Sequence, residues 1–298
     1  MPELPEVETI VRGLARRVVG DTITSVWIGS RPQPLKSPAS EIVCTLEGTR
    51  ITSVQRAGKH IVFALESSRE SSQERASDRA DTSVKQGAGS KRHKKAASKP
   101  PAHWVVHLGM TGRMVVCEPD AEIAKHTHLI ATLASGRELR FIDPRMFGKL
   151  SVHAAPFDPG GVEPLDVDEE IFVALFRGRK TPIKSALLNQ KLLRGVGNIY
   201  ADESLFRAGI RPQRRASTIT RPQLGKLYKS VQDVLKEAVA LGGSSISDYV
   251  DADGEEGFFQ LQHRVYGREG EKCVVCKTPI RRVVLAGRSS HYCPRCQK

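Results

Sequence analysis

Apolar residues near the start of the chain recur at helical spacing. Val7, Ile10, Val11, Leu14 and Val18 fall at i, i+3, i+4, i+7 and i+11, the stripe of an amphipathic helix with one buried face. This spacing predicts a helix over 5–19, with Pro5 suited to its first turn. The period then changes. Apolar runs at 22–28, 41–46, 50–54, 60–65, 104–107, 114–117, 129–133 and 138–142 read as strands, and Ser135-Gly136 marks a hairpin between the last two. So many strands with one helix predict a β-sandwich or barrel against which that helix packs. A Pro/Gly-rich stretch at 156–164 ends this half. Beyond it the helical period returns over 168–177, 183–193, 198–208 and 220–241, the last carrying the stripe Leu224, Leu227, Val231, Val234, Leu235 and Ala238. Thr220 is its expected N-cap, with Pro222 tolerated in the first turn.

One segment follows neither period. Between Ser67 and Pro101 the chain turns to Ser, Ala, Lys, Arg and Gly, with nine Lys/Arg against four Asp/Glu, a composition expected to be disordered. As an insertion between two strands its closure cost is modest. It reads either as a basic tether for a polyanion or as a tolerated surface insertion, the latter being favoured.

At 298 residues the chain fits two domains and an accessory element. No stretch approaches the roughly 20 apolar residues of a membrane span. The N-terminus is acidic where a signal peptide is basic, so an intracellular, cytoplasmic protein is expected. Forty-six Lys+Arg against 33 Asp+Glu give a net charge of +13, which favours a polyanionic partner, most simply nucleic acid. Ribosomal, membrane-surface and transcription proteins share that charge.

Cys273, Cys276, Cys293 and Cys296 form two Cys-x-x-Cys pairs separated by sixteen residues, the spacing of a tetrahedral zinc site on two knuckles joined by a β-hairpin. Disulfides or a redox pair are the alternatives. Four thiolates leave no open position, so the zinc is expected to be structural. Cys44 and Cys117 lie in apolar stretches and read as core.

Two further features could carry chemistry. Removal of Met1 would expose the secondary amine of Pro2, and an α-amino group titrates at about 7.7–8, so an appreciable fraction is a free nucleophile at neutral pH. Such an amine attacks an aldehyde or sugar carbon to give an iminium directly; the plainer reading is that Pro2 merely follows the start codon. Gly195-Val196-Gly197-Asn198 joins two helices, and Asn198 as N-cap would present backbone N–H groups to a phosphate. Lys180 and Lys184 stand just upstream. An ordinary interhelical turn is the plainer reading there.

In this order the chain carries PELPEVET at the start, HLGMTGRM at 107–114, DPRMFGKL at 143–150, GVGNIYADESLFRAGI at 195–210, DADGEEGFF at 251–259 and the four-Cys element. Together these resemble the bacterial formamidopyrimidine-DNA glycosylases, and PELPEVET resembles that branch rather than the endonuclease VIII-type enzymes, which open Pro-Glu-Gly-Pro-Glu and prefer oxidised pyrimidines. The resemblance covers essentially the whole chain outside the insertion. It implies an α+β protein: an N-terminal β-sandwich with its N-terminal helix over 1–155, a linker at 156–166, a helix-two-turn-helix domain over 167–264 and a zinc finger over 265–298. A loop near 248–260 would cover the everted lesion.

The resemblance also implies roles. Pro2 would attack C1′ of a damaged nucleoside, with Glu3 as general acid. Glu6 would help position the site, although a first-turn acid is also favoured by the helix dipole. Lys59 would supply a proton or bind the flanking phosphate, and Arg288 would contact phosphate during δ-elimination. Met110, Arg145 and Phe147 would fill the gap left by the flipped nucleotide. His126, Arg145 and Arg179 would contact the DNA backbone or opposite strand, and Lys184 would approach the damaged base. Met146 stands where many relatives have a basic residue, which puts one backbone contact in doubt. The expected activity is a bifunctional DNA glycosylase and AP lyase for oxidised purines. Expected with it are one structural zinc ion, a monomer, and a double-stranded DNA partner carrying oxidised bases or abasic sites. An oxidised-pyrimidine glycosylase, a noncatalytic zinc-finger DNA-binding protein and an N-terminal proline enzyme for small carbonyl compounds are the rivals.

Overall fold

The computed structural model describes residues 1–67, 101–245 and 257–298. Most of the expected basic insertion, 68–100, and of the expected lesion-covering loop, 246–256, lies outside the described residues. The sheet domain comprises α1 (Leu4–Val18), β1 (Thr22–Ile28), α2 (Ala39–Leu46), β2 (Thr49–Ala57), β3 (His60–Ser67), β4 (Ala102–His107), β5 (Arg113–Cys117), β6 (Thr127–Leu133), β7 (Glu138–Ile142) and β8 (Lys149–His153). Its strands pair antiparallel in one sheet of order β5-β7-β6-β1-β2-β3-β4-β8. Register shifts at Ile23/Ser25 in β1 and Ile51/Ser53 in β2 are bulges, which bend strands and increase their twist. Met114, Leu139 and Phe141 from one wing and Trp104, Val106 and Leu150 from the other join a single buried cluster with Val7, Ile10, Leu14 and Val18 of α1. The two wings thus share one core, as in a sandwich. The insertion joins neighbouring strands, since Leu65 of β3 pairs with Ala102 of β4.

Residues 41–46, expected as a strand, belong instead to α2. Ile42 and Leu46 are its buried residues, an i, i+4 pair that a short apolar run does not distinguish from strand alternation. β8 was not expected; Leu150 and Val152 are its two buried positions, too few to register as a pattern.

The helical domain comprises α3 (Glu169–Phe176), α4 (Ile183–Leu187), α5 (Asn198–Ala208) and α6 (Arg221–Ala240). α4 is shorter than the expected 183–193. After Leu187 the chain turns, with Leu193 N donating to Asn189 O, and Val162 bridges Leu193. Thr220 caps α6 as expected, and its N–H reaches Gln223 Oε1 at 3.1 Å. The last element is a hairpin, β9 (Arg281–Leu285) and β10 (Arg288–Tyr292), turning on Ala286 and Gly287, both at positive φ, as a tight hairpin turn requires. α1 straddles the two large cores: Leu4 lies in the helical-domain cluster, while Val7 onward lies in the sheet cluster. No helix among the described residues is long and apolar enough to cross a membrane.

Candidate active site

At the seam between the domains a cavity of 580 Å³ is lined by Met1, Pro2, Glu3, Glu6, Lys59, Met110 and Arg288, among others. The first turn of α1 builds its floor. Glu3 N donates to Glu6 Oε2 at 2.7 Å, one half of a capping box, and Leu4 N donates to Gly195 O at 3.0 Å. Ile199 N, at the N-terminus of α5, donates to Glu3 Oε1 at 3.1 Å. A Cβ on Gly197 would stand 2.3 Å from the Glu3 carboxyl carbon, and one on Gly195 would stand 2.8 Å from Leu4. These glycines therefore let the interhelical turn close on Glu3 and Leu4. The cap of α5 is Gly197 rather than the expected Asn198, and its Ile199 N–H faces a carboxylate of this chain. Asn198 still lines the cavity.

Glu6 ties three elements together. Its Oε1 accepts Ser244 N at 2.8 Å and the Tyr200 hydroxyl, in addition to the Glu3 N–H on Oε2. Burial pushes the Glu3 carboxyl up to about 7, opposed by the nearby Lys59 charge. Burial also raises Glu6, opposed by its hydrogen bonds to Tyr200 and Ser244. Glu3 Oε2 is buried with no hydrogen-bond partner among the described residues, an atom placed to hold a proton for transfer. Lys59, on the turn between β2 and β3, is 7% exposed; burial lowers its pKa against the pull of Glu3 and Glu6. The α-amino group that lies here is that of Met1, and burial lowers its pKa against the pull of Glu3 and Glu6. An amine, a carboxylic acid poised near neutrality and a lysine thus face one cavity, a set suited to nucleophilic and general acid–base work.

Arg288 projects from the tip of the β9–β10 hairpin, exposed and lining the same cavity. The hairpin is pinned from beneath. Asp202 of α5 accepts His291 N at 2.8 Å and pairs with Lys184 Nζ at 2.7 Å, and Lys184 Nζ also donates to Ser289 O at 2.6 Å. Lys184 is fully buried, and its ammonium is taken up by Asp202 and Ser289, so it anchors the Arg288 hairpin to α5. Breaking such a buried pair by removing one partner costs about 3–5 kcal/mol.

Met110, Arg145 and Phe147 stand together and exposed on two adjoining loops. The Arg145 guanidinium lies 4.8 Å from the Phe147 ring centroid. A Cβ on Gly109 would stand 2.5 Å from the Phe147 backbone, so the loops meet only because no side chain intervenes. Asp143, fully buried, joins them: Oδ1 accepts the Thr111 hydroxyl at 2.6 Å and Arg145 N at 3.2 Å, and Oδ2 accepts Gly148 N at 2.7 Å. His126 O accepts Asp143 N at 2.9 Å, which places His126, at φ 98°, beside the same loops. Arg179 is exposed on the helical domain, its Nε donating to Leu175 O; it does not line the cavity. Asp143, Tyr200 and Asp202 lie within the motifs at 143–150 and 195–210, but the spacing of those motifs does not reveal their supporting contacts. Only Asp143, before a proline at a strand end, bears a turn signal.

Cys273, Cys276, Cys293 and Cys296 bring four sulfurs within 4.8 Å of one another. The 276–293 and 273–296 pairs are 3.4 and 3.9 Å apart, bracketing the roughly 3.8 Å edge of a tetrahedron with Zn–S near 2.3 Å. The donor set fits one structural zinc ion. Gln297, fully buried, accepts Cys293 N at 2.8 Å and steadies the second knuckle.

Comparison with known proteins agrees with this layout. The formamidopyrimidine-DNA glycosylase N-terminal domain matches residues 1–150, the H2TH domain of the same enzymes matches 161–250, and the zinc finger found in FPG and IleRS matches 270–298. Formamidopyrimidine-DNA glycosylases of Solibacter usitatus and Thioalkalivibrio sulfidiphilus are 44% and 38% identical, each over the whole of both chains. Among solved structures, the MutM (Fpg) protein of Thermus thermophilus is 37% identical with a TM-score of 0.79, covering 99% of this chain and 98% of that one. Lactococcus lactis Fpg in complex with DNA containing N7-benzyl-Fapy-dG is 31% identical, TM-score 0.81, over the whole of both chains. The same enzyme with abasic-site DNA is 30% identical, TM-score 0.80, over 99% of each.

Proposed function

Since the chain belongs to the formamidopyrimidine-DNA glycosylase family, we propose that it is a bifunctional DNA glycosylase and AP lyase of base excision repair, acting on oxidised purines through Pro2. The observation that carries this reading is the meeting of the N-terminus, Glu3, Lys59 and Arg288 in one cavity. Removal of Met1 leaves the Pro2 nitrogen as a secondary amine in that cavity. It attacks C1′ of the everted nucleotide, the C1′–N bond breaks, and the base leaves. Glu3, protonated near neutral pH, donates to the opening sugar and then shuttles protons. The iminium so formed acidifies the 2′ proton; its loss expels the 3′ phosphate, and δ-elimination expels the 5′ phosphate. Lys59 and Arg288 are cations suited to the flanking phosphates.

Met110, Arg145 and Phe147 fill the vacated stack, the apolar chains as wedges and the guanidinium as a hydrogen-bond donor to the widowed base. His126 contributes a backbone contact from the adjoining strand end, and Arg179 one from the helical domain. Glu6 acts by holding Glu3, Tyr200 and Ser244 in register. Zinc, when bound, supplies no chemistry here; it fixes the hairpin that carries Arg288. The partner is duplex DNA bearing oxidised bases or abasic sites, met by a monomer in the cytoplasm alongside the nucleoid.

Borohydride trapping on an 8-oxoguanine duplex tests this reading. The protein lacking Met1 should form a covalent adduct, and Pro2→Gly should not. An undiminished adduct with Pro2→Gly removes the assignment. A panel that includes oxidised pyrimidines separates the endonuclease VIII-like alternative.

A further inference from the structure

The linker between the domains carries three carboxylates that the reaction above does not use, Asp158, Glu163 and Asp166; Asp158 pairs with Arg194 alone, whereas Glu163 reaches both sides of the seam. Glu163, with its side chain 10% exposed, accepts three donors from two segments on opposite sides of the seam. Gly58 N at 2.7 Å and Arg194 Nε at 2.9 Å meet Oε1, and Arg56 Nη1 at 2.6 Å meets Oε2. Arg56 also reaches Glu8 of α1 at 2.9 Å. The linker backbone completes the junction: Val162 N donates to Leu192 O and Arg194 N to Val162 O, each at 3.0 Å.

The two segments flank the cavity. Gly58 immediately precedes Lys59, and at φ +59° a Cβ there would stand 3.1 Å from the Arg194 side chain. Arg194 immediately precedes the turn whose Gly195 O receives Leu4 N and whose Gly197 lies against Glu3. An ionised acceptor holding two guanidinium groups and a backbone N–H makes charge-assisted bonds, about twice as strong as neutral ones.

We propose that Glu163 is a positioning residue for the glycosylase and lyase reaction, locking the Lys59 turn of the sheet domain to the Arg194–Gly197 turn of the helical domain and so fixing Lys59 against Glu3. The proposal rests on the catalytic reading of Pro2, Glu3 and Lys59. Glu163 does not line the cavity, so it acts through the turns it ties and not on the nucleotide.

Glu163→Gln keeps the shape, removes the charge and replaces one accepting oxygen by an amide NH2 that faces donors it cannot accept from. Its single-turnover rate on an 8-oxoguanine duplex should fall about 10- to 100-fold, the cost of misplacing a catalytic group by about an ångström. Affinity for a duplex with an uncleavable tetrahydrofuran abasic analogue should be unchanged. In a Lys59→Met background the same substitution should add nothing, because residues that act through one another are not additive. A full-sized effect in that background, or a loss of affinity equal to the loss of rate, overturns the proposal. Should Glu163→Gln fail to fold, Arg194→Lys, which removes the Nε donor and keeps the charge, carries the same cycle. An unimpaired Lys59→Met overturns the catalytic reading and this one with it, whereas an impaired Lys59→Met beside an unimpaired Glu163→Gln overturns the positioning role alone.

Discussion

Replacing Glu3 by Gln should abolish turnover and yet, as pH rises, make the protein progressively more stable relative to wild type. Burial holds the Glu3 carboxyl at about 7 in the folded chain against 4.5 as the ordinary value. Below 4.5 the carboxyl is protonated in both states and folding gains the full benefit of the raised affinity. Between 4.5 and 7 the unfolded chain has released its proton while the folded chain has not, so this group's contribution falls with rising pH, and above about 7 it is lost. At about 1.4 kcal/mol for each tenfold change in proton affinity, the difference amounts to roughly 3 kcal/mol. Gln is neutral throughout. It keeps an acceptor for Ile199 N, and any cost of its amide N–H where Oε2 now has no partner is independent of pH and cancels from the comparison. The stability gap between variant and wild type should therefore widen by roughly 3 kcal/mol from about pH 4.5 to pH 8, or about 6–12 °C in Tm at 2–4 °C per kcal/mol. Calorimetric melting of both zinc-loaded proteins across that range measures it. Parallel curves, or a gap that widens toward acid, would refute the premise that Glu3 is held protonated by its burial.

Two further outcomes are expected. Asp143→Ala removes the bonds to Thr111, Arg145 and Gly148 and leaves the buried Gly148 N–H unpaired, at about 1–3 kcal/mol. Excision of 8-oxoguanine should fall by more than incision of a preformed abasic site, because displacing a stacked base relies on the two loops; equal losses on the two substrates would argue against that division of labour. Chelation should remove one zinc ion per chain and strand scission with it, while far-ultraviolet circular dichroism of the larger domains persists, since their cores do not include the cysteines. Scission by metal-free protein would show that the Arg288 hairpin needs no zinc.

Much of this molecule is legible along the chain because its long helices and paired strands bury regular stripes. The predicted faces of α1 and α6 are the buried ones, and the zinc ligands follow from spacing alone. Short elements with few buried positions misled: α2 reads as a strand, and β8 leaves no pattern. At the site, the motifs mark the start of the chain, the HLGMTGRM and DPRMFGKL loops and the 195–210 turn, but not which of their side chains bind one another. Asp143, Glu163, Asp202 and Tyr200 gain their meaning from partners distant in sequence; Asp202, for example, is 89 positions from His291. Lys184 shows the converse, since along the chain it reads as a DNA contact, whereas the fold buries its ammonium against Asp202.

The straddling of two cores by α1 has a mechanical consequence. Under a rotation of one body against another, displacement grows with distance from the axis, and groups beside the axis hardly move. Leu4 sits in one body and Val7 in the other, so the start of the chain lies where such an axis would pass. The first turn of this helix is therefore held by both bodies at once, through Ile199 N on Glu3 and Ser244 N on Glu6 as well as through Leu4 and Val7, and the start of the chain would shift least in any rotation of one body against the other.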